Sequence, residues 1–240
     1  MTMTATKTVR EVALENPNAT RIFEKLGIDY CCGGQRPLNE ACAAANLNID
    51  DVLSRLEQAG ADSSRDASGK NWQTEALGSL VEYIVATHHA FIKDETPRIL
   101  QLAAKVVSVH GRNHPELQQV HATFDALGQE LSSHLMKEEQ ILFPFIVGMD
   151  RASGNGSAAP ASCFGTVQNP IRMMMIEHDS AGNALRELRE VTSNYTVPAD
   201  ACISYKTLYQ ALQDFEKDLH QHIHLENNIL FPRALTMENA

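Results

Sequence analysis

His134 and Glu138 stand four residues apart, and so do His222 and Glu226. On a helix, residues at that spacing share a face with Cβ atoms about 5 to 6 Å apart, so each pair can aim one imidazole and one carboxylate at a single point. The pairs belong to a repeat. His134-Leu-Met-Lys-Glu138-Glu-Gln-Ile141-Leu142-Phe143-Pro144 returns as His222-Ile-His-Leu-Glu226-Asn-Asn-Ile229-Leu230-Phe231-Pro232. The duplication extends upstream, because His89 precedes His134 by 45 residues and His178 precedes His222 by 44. Four imidazoles and two carboxylates suit two metal ions, each carboxylate able to bridge them, with positions left for water, an oxo bridge or a small ligand. Imidazole suits iron, zinc, copper or nickel, bridging carboxylates favour hard ions, and neither repeat contains a cysteine. The expectation is therefore two iron ions in a non-haem di-iron centre, oxo- and carboxylate-bridged. The ferritin-like oxygen-activating sites are richer in carboxylate; more neutral nitrogen donors favour the lower oxidation states, and so reversible binding or iron transfer over oxygenase chemistry.

One histidine on an apolar face is ordinarily a core residue with a single hydrogen bond, and one His-x-x-x-Glu arises easily by chance. Duplication changes that weighing. Four buried histidines and two buried glutamates without a metal would each carry a desolvation cost.

Four helices must position these groups. Helical spacing of apolar residues predicts one from Thr74, as N-cap, through Leu80, Ile84, His89 and Ile92 to about Val109, interrupted at Pro97. A second runs from Pro115 to about Val147, a third from Asn169 to Val191 and a fourth to about Ala234, with a Ser/Gly/Ala-rich loop over 153–165 and a turn over 194–200. Short connections between long helices imply antiparallel neighbours and an all-α, up-down-up-down four-helix bundle. Counted from the turn near Arg112, His89 lies 23 residues back and His134 22 forward, which places them at one level.

His110 is a secondary ligand candidate. It lies 21 residues after His89, roughly 30 Å along a straight helix, and could return to the site only if the helix breaks at Pro97. His114 and His121 read as surface residues, and His88, His220 and His224 as surface groups or partners behind the ligands. Glu130, one turn before His134, and Glu177, next to His178, can orient imidazoles or relay protons, or remain solvated. Ile141, Leu142 and Phe143, like their repeat partners, read as core, and so does Met173-Met-Met175. Cys42, Cys163 and Cys202 are isolated and receive no role.

Upstream, residues 1–60 form a small helical domain with apolar blocks at Val9–Leu14, Ile22–Leu26, Leu38–Leu47 and Val52–Leu56. Gly27 stops the second block, and Asn48 or Asp50 caps the last. A polar flexible connector follows over 61–73, and the bundle occupies 74–240. Within the small domain, Asp29-Tyr-Cys31-Cys32-Gly33-Gly34 joins two adjacent thiols to a glycine turn. Such thiols do not readily bridge each other; they can be redox-active, bind a metal or nitric oxide, or simply pack. A net charge of −10 disfavours nucleic acid and anionic membranes. No apolar run is long enough for a signal peptide or a bilayer span, and an odd number of cysteines fits a reducing, cytoplasmic setting.

Over nearly its whole length the chain resembles the iron-sulfur cluster repair di-iron family (RIC, of YtfE and ScdA type). Asp29-Tyr-Cys-Cys-Gly-Gly34 is similar to that family's short N-terminal domain. Ser133–Pro144, Glu177-His178-Asp179 and His222–Pro232 are similar to its hemerythrin-like domain. The resemblance implies a di-iron protein that restores iron-sulfur centres damaged by nitrosative or oxidative stress, binding or processing nitric oxide and supplying iron. It implies His89, His134, His178 and His222 as terminal ligands, Glu138 and Glu226 as bridges, and Cys31 and Cys32 in exchange of nitric oxide or iron. The expected partners are nitric oxide or dioxygen as small ligand and iron-sulfur proteins as clients. Nitric oxide reduction at the iron pair, or reversible nitric oxide or oxygen storage or sensing, are the competing activities; the oligomeric state is left open.

Overall fold

The computed structural model describes residues 6–16, 18–31, 33–59, 70–156 and 160–239. Among them every regular element is a helix, and none is long and apolar enough to cross a membrane. The chain divides into two compact units, Met1–Leu80 with His220–Ala240, and Val81–Leu219.

The first unit contains four short helices, α1 (Val9–Glu15), α2 (Ala19–Leu26), α3 (Leu38–Ala44) and α4 (Ile49–Ala59). Thr8 starts α1 with a reciprocal cap: its hydroxyl accepts the Glu11 N–H while the Glu11 carboxylate takes the Thr8 N–H, which satisfies donors that a first turn leaves over. Gly27 ends α2 at φ 69°, a left-handed conformation that glycine enters without Cβ strain. Asn48 Oδ1 accepts the Asp50 N–H at 2.8 Å and so, of the two candidates, sits at the start of α4. Val9, Val12, Phe23, Leu38, Val52 and Leu56 close a common core. The polar stretch over 61–69, most of the expected connector, lies outside the described residues, as does Cys32.

Thr74 does not cap a helix. Its hydroxyl donates to the Asn71 carbonyl at 3.1 Å, closing a turn, and α5 (Leu77–Ile84) starts three residues later. The same unit holds the C-terminal segment, which includes α11 (Phe231–Glu238); Arg233 Nη1 donates to the Trp72 carbonyl at 2.7 Å.

The second unit is built from α6 (Ala90–His110), α7 (Glu116–Lys137), α8 (Phe143–Asn155), α9 (Gln168–Val191) and the greater part of α10 (Ile203–Leu225). α7 packs on both α6 and α9. Phe215 of α10 meets Phe124 edge-on at 5.0 Å and Phe91 at 6.2 Å between ring centres. The α9–α10 connection runs through Ser193, Asn194 and Tyr195, all at positive φ, with the Thr192 hydroxyl accepting the Tyr195 N–H at 2.9 Å.

Pro97 does not interrupt its helix: α6 is continuous from Ala90 to His110. One missing N–H is tolerated there, and the neighbouring Thr96 hydroxyl donates back to the Ile92 carbonyl at 2.7 Å. The second helical arm also runs past its expected end, to Asn155. Three residues expected in the core are half exposed: Ile141, Met173 and Met175, although Leu142, Phe143 and Met174 are buried. His88 and His224, expected at the surface or behind the ligands, are both buried, which excludes the first of those places.

Candidate metal centre

Three helices widen into π turns at the ligand candidates. π1 (Val85–His89) ends on His89, π2 (Glu138–Leu142) begins on Glu138 and π3 (Glu226–Leu230) begins on Glu226. In π2 and π3 the donor has slipped by one residue, with Phe143 N–H reaching the Glu138 carbonyl and Phe231 N–H the Glu226 carbonyl. Pro144 and Pro232 supply a cause: each lacks the N–H that a regular helix would give to Gln140 or Asn228, and its ring would press on that carbonyl. A wider turn just before the proline relieves the pressure, and such bulges are frequent at functional sites. Periodicity reasoning missed these turns; the Phe-Pro five and six residues beyond each glutamate was the available signal.

Within Val81–Leu219, four candidate ligands come together. Glu138 Oε2 lies 3.3 Å from His134 Nε2 and 3.5 Å from His89 Nε2, and His178 Nε2 lies 3.1 Å from His134 Nε2. Donor atoms of His134, Glu138 and His178 are all within 4.8 Å of one another. All four side chains are buried, Glu138 and His89 completely.

Two further carboxylates fix the imidazoles from behind. Glu139 Oε1 is 2.8 Å from His89 Nδ1 and Glu177 Oε2 is 2.9 Å from His134 Nδ1. With each Nδ1–H donated outward, each Nε2 presents a lone pair towards the Glu138 carboxylate. Converging lone pairs and a carboxylate repel one another unless a cation lies among them, so the donor set fits a metal. Lys93 and Lys137 hold the outer carboxylates in turn. Burial raises the Glu139 and Glu177 pKa values, but the lysine and histidine bonds outweigh it and leave both below the usual carboxylate range.

His222 and Glu226 meet in the other unit, His222 Nε2 lying 2.9 Å from Glu226 Oε1, both fully buried. They sit one helical turn apart where α10 passes into π3, as the four-residue spacing requires.

Residues 80–234 match the hemerythrin HHE cation binding domain, and residues 5–60 match ScdA_N, a domain of unknown function (DUF542). A probable iron-sulfur cluster repair protein of Haemophilus influenzae is 39% identical over 231 residues, covering 96% of this chain and 97% of the relative. The iron-sulfur cluster repair protein YtfE of an Enterobacter species is 38% identical, with 95% and 96% covered. YtfE of Escherichia coli O81 is 37% identical with the same coverage. The chain belongs to this iron-sulfur cluster repair family.

In this member of the family the remaining candidates separate cleanly. His110 lies at the far end of the continuous α6, with Nε2 3.1 Å from Cys202 Sγ, and so does not join the His89 cluster. Cys202, isolated in sequence and expected to have no role, is exposed. Its thiol falls to about 7 because the Tyr205 backbone N–H and then His110 stabilise the thiolate. Glu130 accepts from Ser180 Oγ on an exposed face, so the carboxylate behind His134 is Glu177. Glu139 was missed, because adjacency to Glu138 on a regular helix would turn it about 100° away, and only a side chain crossing to His89 brings it in.

His88 Nδ1 pairs with Asp218 Oδ1 at 2.9 Å. Burial holds His224 neutral, lowering its pKa to about 4. Cys31 is buried, and its N–H and Sγ both lie against Asp29 Oδ1, at 3.1 and 3.4 Å.

Proposed function

We propose that His89, His134, His178, His222, Glu138 and Glu226 together hold two iron ions, and that this centre serves the repair of iron-sulfur clusters damaged by nitrosative or oxidative stress. The observation that carries the reading is the convergence of His134, His178 and His89 on Glu138, with a second His-Glu pair made the same way by the duplicated segment. A single cation could be held by the first cluster alone. The second pair, with its own fully buried carboxylate, supports a count of two.

Iron bound there would supply redox-active positions for a diatomic ligand such as nitric oxide and a releasable store of metal. The chain's own residues prepare the place. Glu139 and Glu177 hold the imidazole tautomers, burial keeps bulk water from the donor atoms, and Glu138 and Glu226 offer carboxylates able to span two ions. Cys31 and Cys32 exchange nitric oxide or iron with the centre, and damaged iron-sulfur proteins are the clients. The chain works in the cytoplasm, as a small domain over 1–60, a connector over 61–73 and a bundle over 74–240. Relatives named for iron-sulfur cluster repair that cover nearly the whole chain support this reading.

Metal analysis with Mössbauer spectroscopy on the isolated protein tests it, followed by incubation with a nitric-oxide-damaged [4Fe–4S] protein. The expected result is two coupled iron ions per chain and recovery of client clusters. Glu138→Ala and Glu226→Ala should each lose iron. Cys31→Ala/Cys32→Ala should keep iron and lose repair. Steady nitrous oxide production over many turnovers without cluster recovery would replace repair by nitric oxide reduction, and full function in the double cysteine variant would leave a storage protein.

A further inference from the structure

The two copies of the repeat differ at five positions, and at three of them the second copy has a polar side chain that can bond. Met136, Glu139 and Gln140 in the first become His224, Asn227 and Asn228 in the second. Met136 is half exposed and Glu139 faces His89, whereas His224 and Asn228 are buried. What covers them, within the first unit, is the cysteine loop.

Asn228 spends both hydrogens of its amide there. Nδ2 donates to the Tyr30 carbonyl at 3.1 Å and to His224 Nδ1 at 2.9 Å, while the Tyr30 ring lies edge-on to His224 at 5.4 Å. Asn227 Nδ2 lies 3.5 Å from the Cys31 carbonyl. The Asn228 carbonyl is one that Pro232 cannot serve, and Arg10 Nη2 donates to it at 3.2 Å. Arg10 also gives its backbone N–H to the Gly34 carbonyl at 2.7 Å. A Cβ on Gly34 would come within 2.9 Å of the Tyr30 carbonyl and 3.3 Å of Arg10 Cβ, so the glycine lets the loop close onto Arg10. At the other edge, the Tyr30 hydroxyl donates to Glu24 at 2.8 Å, and His220 lies 3.4 Å from the same carboxylate oxygen.

We propose that Asn228, with His224 and Arg10, is a latch that positions the Cys31 loop on the helix carrying His222 and Glu226. Asn228 is a positioning residue: it touches neither thiol nor metal donor, and acts by fixing the backbone on which Cys31 stands. The proline that widens the ligand-bearing helix also leaves the carbonyl that Arg10 takes, so one sequence feature shapes the metal-binding turn and anchors the loop. The role of the latch in repair rests on the function proposed above. Its existence does not.

The test uses the full chain with Asn228→Leu, Arg10→Ala and Arg10→Lys. Alkylation of Cys31 by iodoacetamide is followed by peptide mass spectrometry with fragmentation, and Cys42, buried in the same small domain, reports general unfolding. Asn228→Leu and Arg10→Ala should raise the Cys31 rate about tenfold or more by local opening, leave Cys42 slow and iron content unchanged, and reduce cluster repair. Arg10→Lys, which can still donate to Asn228, should restore most of the protection. An unchanged Cys31 rate, or Cys42 rising in step with Cys31, overturns the latch. If Asn228→Leu fails to fold, the two Arg10 variants decide, since Arg10 is remote in sequence from every metal ligand. A wild-type protein without iron or repair activity would remove the proposed function while the alkylation result still judges the latch.

Discussion

Glu139 Oε1 lies 2.8 Å from His89 Nδ1 across two elements, and Glu177 Oε2 stands in the same relation to His134 Nδ1 at 2.9 Å. An anionic acceptor behind an imidazole orients the ring and raises the basicity of its other nitrogen. Removing such a partner ordinarily weakens metal binding by about 10- to 100-fold. Glu139→Ala and Glu177→Ala should therefore fold, bind metal, and surrender it to a chelator at concentrations that leave the wild type loaded. Competition titrations read this directly. Wild-type retention in both variants would mean that the outer carboxylates do nothing for the metal.

Gly128 of α7 faces Thr96 of α6 so closely that a Cβ would stand 2.6 Å from Thr96 Cγ2. The threonine has little freedom to turn aside, because its hydroxyl is tied to the Ile92 carbonyl. Gly128→Ala should gain helix propensity yet destabilise the fold by about 1 to 3 kcal/mol through overpacking. Urea unfolding of the apo-protein measures the balance, and Gly128→Ala combined with Thr96→Ser should recover much of the loss.

Ile141 and Ile229 occupy equivalent places in the repeat but not equivalent surroundings, the first being 47% exposed and the second 7%. Ile141→Ala should change stability by no more than about 0.5 kcal/mol, while Ile229→Ala should cost about 2 to 5 kcal/mol. Equal losses at the two sites would contradict the burial.

That contrast marks what the sequence made legible. Spacing decides which groups share a helix face, so the approach of His134 to Glu138, and of His222 to Glu226, could be read from four-residue intervals. The antiparallel count from Arg112 likewise placed His89 and His134 at one level. Burial at the half-exposed Ile141 and the buried His224 depends on what another part of the chain lays over each copy, and the two copies are covered differently. The π turns escaped because hydrophobic periodicity averages over the single added residue, although Pro144 and Pro232 mark where it goes. Glu139 and Cys202 escaped for the same reason as each other: their partners, 50 and 92 residues distant, are set by packing alone.

Cys202 gives a pH-dependent signature of that packing. The Tyr205 backbone N–H and His110 Nε2, the latter 3.1 Å from Sγ, stabilise the thiolate and lower the pKa to about 7. A depressed thiol pKa means that the reactive anion is already about half formed near pH 7 and is lost as pH falls below it. Alkylation of Cys202, followed by peptide mass spectrometry, should therefore reach half its plateau rate near pH 7 in the folded protein and at higher pH in the unfolded chain. His110→Ala should move the folded midpoint upward and slow the reaction at neutral pH, leaving the backbone contribution at the start of α10 in place. The same midpoint in wild type and His110→Ala would assign the shift to the backbone alone and leave the imidazole a neighbour without effect on the thiol.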